Sequence, residues 1–93
     1  MIENKYKFVW VFNGKKSHFP SGVFEEKARA EAWINKHKLT GTLTQYPVNI
    51  SAYDWAVETA MFEPKKDKEQ SSEFIGRFTS GSQEHYHYGD DWD

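Results

Sequence analysis

Apolar and polar positions alternate first along this chain. Lys5 to Phe12 sets Tyr6, Phe8, Trp10 and Phe12 on one side of an extended segment and Val9 and Val11 on the other. Aromatic and β-branched residues on both sides predict a central strand covered on both faces. Asn13-Gly14 tolerates positive φ and predicts a hairpin turn into a second strand from about Lys16 to Phe19, which Pro20-Ser21-Gly22 bulges or ends. From Glu25 to Lys38 the period lengthens. Ala30, Trp33, Ile34 and His37 fall at i, i+3, i+4 and i+7 among strong helix formers, so a helix is expected. Glu25 and Glu26 at its start and Lys36 and Lys38 at its end suit the helix dipole, and Gly41 is placed to terminate it.

Alternating Thr and Leu from Thr42 to Tyr46 predict a third strand, ended by Pro47. Ser51 with Asp54 three residues on has capping-box spacing for a short helix from Ala52 to about Met61, with Tyr53, Val57 and Ala60 turned inward. Pro, Ser and charged residues make Glu63 to Ser72 a solvated loop. Glu73 to Thr79, with Phe74, Gly76 and Phe78 opposite Ile75 and Arg77, reads as a fourth strand. Thr79 to Ser82 is then a turn, Gln83 to Tyr88 an edge strand, and Gly89-Asp90-Asp91-Trp92-Asp93 a mobile tail. The expected class is α+β: one domain over residues 1–93, order ββαβαββ. Its sheet has four or five mainly antiparallel strands with two helices on one face.

Composition narrows the functions open to such a domain. With 93 residues the chain has room for one core. Only 38% of it is hydrophobic, but the 4 Trp, 5 Tyr and 7 Phe can close a small core and still leave rings for an interface. There is no Cys, which excludes disulfides, thiolate nucleophiles and cysteine zinc sites. Met1-Ile2-Glu3-Asn4-Lys5 lacks the basic start and apolar run of a signal peptide, and no stretch reaches the apolar length of a membrane span. A cytoplasmic protein is expected. Glu84, Asp90, Asp91 and Asp93 give residues 84–93 a charge of −4, with no Lys or Arg to offset it. An acidic end is a poor match for nucleic acid and a good one for a basic protein surface.

Chemistry concentrates in the same segment. His85 and His87 lie on one face of a strand, about 6.6 Å apart along it, a span that two ligands of one metal can bridge. A zinc site wants three or four ligands with outer support, so no metal and no cofactor is assigned. Ser80, Ser82, His85 and Asp90 are close in sequence without a nucleophile motif, and no glycine-rich phosphate loop precedes a helix. No enzyme is expected. The candidate partner-binding residues are Glu84, His85, Tyr86, His87, Tyr88, Asp90, Asp91, Trp92 and Asp93, in which carboxylates steer toward a basic cleft and rings anchor in it. The alternative is that the tyrosines complete the core from alternate strand positions.

The strings Phe8-Val9-Trp10-Val11-Phe12-Asn13-Gly14, Phe19-Pro20-Ser21-Gly22-Val23-Phe24, Gly41-Thr42-Leu43-Thr44-Gln45-Tyr46-Pro47, Tyr53-Asp54-Trp55, Phe78-Thr79-Ser80 and Glu84-His85-Tyr86-His87-Tyr88 span nearly the whole chain. Together they resemble a family of short bacterial proteins found in part beside contact-dependent inhibition or other polymorphic toxin genes. The resemblance implies a small stand-alone domain and an immunity protein, and assigns no catalytic residue; the acidic, aromatic end adds the expectation that the partner is a cognate toxin domain, a nuclease with a basic cleft. Two other functions fit the same residues: a metal-binding protein or enzyme built on His85 and His87, and a general protein-interaction module. Oligomeric state stays open, since an edge strand can pair with a second copy as well as with a toxin.

Overall fold

The computed structural model describes residues 6–89. Strands β1 (Phe8–Gly14), β2 (Pro20–Phe24), β3 (Gly41–Pro47) and β4 (His85–Tyr88) form one antiparallel sheet in the order β2-β1-β3-β4. Helices α1 (Lys27–His37), α2 (Ala52–Glu58) and α3 (Ser72–Gly76) and a 3₁₀ turn over Asp67–Gln70 complete an α+β domain. The class and the antiparallel sheet are those expected from the pattern, and β1 is central.

Opposed residues of an antiparallel pair share a side of the sheet. Pairing of Trp10 with Phe24, Phe12 with Leu43 and Leu43 with Tyr86 therefore gathers these rings and Leu43 on one side. There α1 lays down Ala30 and Ile34, which are buried with Trp10, Phe12 and Leu43 as a single core. Trp33 of α1 closes it, with its ring 5.5 Å from those of Phe12 and Phe24. Burying side chains of this size is worth roughly 1.5 to 3 kcal/mol each, so this seam fixes the helix on the sheet. Trp55 of α2 meets Phe8 edge-on, on the same side.

A second aromatic cluster lies under α2 and α3. Tyr53 contacts Phe62, Phe74 and Phe78, and its hydroxyl donates to the Glu69 carbonyl at 2.9 Å. The Glu69 carboxylate in turn accepts from the Lys65 and Lys66 amides, which hold its pKa below the ordinary glutamate value.

Four expectations are corrected. The segment read as a strand over Glu73 to Thr79 is no strand and is helical as far as Gly76: Ser71 accepts the Phe74 amide at 3.2 Å and starts α3. Phe74 and Phe78 are four residues apart, a spacing that faces one way on a strand and on a helix alike. The second strand begins at Pro20 and not near Lys16, because β1 runs on to Gly14 and pairs with Gly41, while a turn is closed by Ser17 N–H donating to the Gly14 carbonyl. Proline at the first residue of an edge strand loses no ladder bond. Gly41 does not end α1. Lys38 does, with left-handed φ of 53°, while Leu39 N–H donates to the Ile34 carbonyl. Gly41 opens β3, and a Cβ there would lie 2.3 Å from the Asn13 carbonyl oxygen. Last, α2 stops at Glu58, since Ala60 turns left-handed and Met61 N–H donates to the Ala56 carbonyl, a Schellman ending. Its buried residues are Tyr53 and Ala56, and Val57 and Ala60 are exposed.

Candidate functional site: the open face of the sheet and the β4 edge

Helices α1 and α2 pack on one side of the sheet. By the same register, the other side carries Val9, Val11 and Asn13 from β1, Val23 from β2, Thr42, Thr44 and Tyr46 from β3, and His85 and His87 from β4. No Lys, Arg, Asp or Glu stands at these strand positions. Val23 is 63% exposed, and Phe19, just ahead of β2, is 77% exposed. Val9 and Val11, expected to be covered, are only half-buried. Open sheet faces in contact with water alternate with polar and charged residues, and exposed edges are commonly protected by charge. This face has Val, Thr, Tyr and His instead. A groove of about 310 Å³ crosses it between β3 and the loop before β4, lined by Thr42, Thr44, Tyr46, Thr79, Ser80 and His85 among others.

The candidate residues of β4 divide between the two sides. Tyr86 and Tyr88 turn toward the helices and pack against the core, as in the second of the two readings of these tyrosines. The Tyr86 ring lies 6.1 Å from Trp10, with Lys27 Nζ 3.7 Å above its centre, and its hydroxyl donates to Glu84. The Tyr88 hydroxyl donates to Glu31 at 2.9 Å. Burial first, then this bond and the Glu31 charge, push the Tyr88 phenol up to about 12. Lys27 and Glu31 of α1 thus fasten β4 from the helix side.

His85 and His87 turn outward and are exposed, with ring centres 5.4 Å apart. His85 Nδ1 is 2.9 Å from the Gln83 carbonyl, and His87 Nδ1 is 3.4 Å from Thr42 Oγ1. Gln83, which sequence reasoning passed over, is 3% exposed and locks the loop. Its Nε2 donates to the Gln45 carbonyl at 3.1 Å and its Oε1 accepts the Ser80 amide at 2.9 Å. Nothing in the sequence distinguishes it from a surface glutamine. Asp90, Asp91, Trp92 and Asp93 lie outside the described residues, and Gly89, where the mobile tail was expected to begin, sits with φ of 111° against Thr40.

Among the described residues no group of three or more His, Asp or Glu is assembled that could hold a metal. Ser80 Oγ accepts the Ser82 amide and His85 Nδ1 faces the Gln83 carbonyl, and among the described residues no hydrogen bond joins either serine to His85. No helix among the described residues is long and apolar enough to cross a membrane.

Fold and site define a two-layer α+β domain with one sheet face left open and uncharged. The chain belongs to a family described as a domain of unknown function, DUF7710, whose model matches residues 9–92, from β1 through β4 and beyond. No curated protein and no solved structure matches it.

Proposed function

We propose that this chain is a cytoplasmic, non-catalytic protein-binding domain of the immunity type. It holds a cognate bacterial toxin domain, a nuclease with a basic cleft, against its open sheet face and β4 edge, and so occludes the cleft. The observation that carries the binding reading is the uncharged open face, where Val9, Val11, Val23 and Tyr46 stand beside hydroxyls and imidazoles. Such a face is poorly matched to water and well matched to a partner surface that removes it from water. The acidic residues in the sequence around β4, Glu84 before it and Asp90, Asp91 and Asp93 after it, favour a basic partner. Support for a toxin comes from the resemblance of the strings quoted above.

The test uses the chain as bait in a lysate of its own species at two salt concentrations. Retained protein is identified by mass spectrometry and then assayed with and without the chain. A basic toxin fragment, held less well at high salt and inactive when bound, is the expected result. A retained protein whose activity is untouched by saturating chain would refute the immunity reading.

A further inference from the structure

We infer that the free chain forms a weak two-fold dimer in which two copies lay the β2-β1-β3 part of their open faces together, each covering the other's binding surface. The inference rests on the open face as that surface and concerns what regulates access to it. Charge favours a second copy as the occupant. No Lys, Arg, Asp or Glu stands at the strand positions of the face, so copy meets copy there without like-charge repulsion, although the whole chain carries −2. Lys7 and Glu25, ahead of β1 and after β2, are paired with each other at 2.9 Å.

The face is also its own counterpart in shape. Register sets Val23, Val11 and Thr44 at one level across β2, β1 and β3. A two-fold axis laid along β1 brings the Val11 side chains of the two copies together and sets Val23 of each copy over Thr44 of the other. Thr44 lines a hollow of about 310 Å³ with Val11, Asn13, Pro20 and Tyr46. That is ample for an isopropyl group, since about 150 Å³ holds benzene. Val23, 63% exposed, is the side chain that projects to fill it. Each copy thus brings one projecting valine and one hollow, the reciprocal contact of a two-fold interface. Area then sets the strength. At about 3.3 Å per residue and about 4.8 Å between strands, β2, β1 and β3 present roughly 300 Å² of flat face. Two such faces fall short of the roughly 1,200 Å² that stable interfaces bury and belong with transient contacts. A Kd on the order of 0.1 mM is expected, weak enough for a tighter partner to displace the second copy.

The experiment is sedimentation velocity of the full chain from about 10 μM to about 1 mM. Wild type should pass reversibly from monomer to dimer, and Val23→Lys should weaken the association at least about tenfold. Because the chain has no cysteine, single substitutions report contacts cleanly. Under mild oxidation Val11→Cys, at the axis, should form a disulfide-linked dimer at least about tenfold faster than Lys36→Cys, at an exposed position of α1. Unchanged far-ultraviolet circular dichroism checks that each variant is folded. A monomer at about 1 mM, dimerisation untouched by Val23→Lys, or equal cross-linking of the two cysteine variants would overturn the dimer. None of these results bears on the partner reading, and failure of the capture experiment would count against that reading alone, because sedimentation and cross-linking need no partner.

Discussion

Tyr88 shows how one side chain ties the candidate edge to the core. Its ring packs on the core and its hydroxyl donates to Glu31 of α1, so the fold favours the protonated phenol. The folded value of about 12 stands above the ordinary 10.0, so Tyr88's contribution is complete below about pH 10 and is lost as pH rises toward 12. Denaturant unfolding across that window should show stability declining with pH. In Tyr88→Phe this part of the decline should be missing; an identical slope in both proteins would mean that folding does not raise the Tyr88 phenol. Lys38 and Ala60 make another residue-scale point. Both hold left-handed backbone at helix ends where glycine is usual, and that is why the ends of α1 and α2 were misplaced from sequence.

Elements with a strong period were legible. The i, i+3, i+4, i+7 stripe of α1 delivered Ala30 and Ile34 to the core, Ser51 caps α2 by accepting the Asp54 amide at 2.9 Å, and β1, β3 and β4 fall close to where alternation placed them. What failed was short and ambiguous. Phe74 and Phe78 satisfy both periods, and only Ser71, three residues before Phe74, carried the helical signal. Ser71→Ala should therefore cost about 1 kcal/mol, and it should raise hydrogen exchange at residues 72–78 more than in the sheet. Equal exchange in both proteins would show that the aromatic cluster, and not the cap, holds α3. In β4 the alternation was legible and its meaning was not: strand period separates His85 and His87 from Tyr86 and Tyr88, but which set faces the helices depends on the register with β3.

At the scale of the whole molecule, two layers leave one sheet face without a third. The uncharged character of that face was present in the sequence as Val9, Val11, Thr42, Thr44 and Tyr46, yet it was not legible there, because apolar alternation in a central strand reads equally as burial on both sides. Only the placement of α1 and α2 on the other side turns these residues into a surface. It also moves the emphasis of the proposed contact from the acidic end of the chain to the middle of the sheet, with His85 and His87 as its margin.

The most direct test of that account is the same capture experiment with a bait altered at the centre of the open face. Val11 and Thr44 are directly opposed, so Val11→Glu with Thr44→Lys introduces a compatible cross-strand pair and keeps the sheet. Lys36→Glu, at an exposed position of α1, is the control. The partner held by the wild type should be lost from the double variant, an affinity drop of about 2 kcal/mol or more, and retained by the control. Full retention by the double variant, with the fold intact, would contradict the assignment of the open sheet face as the binding surface.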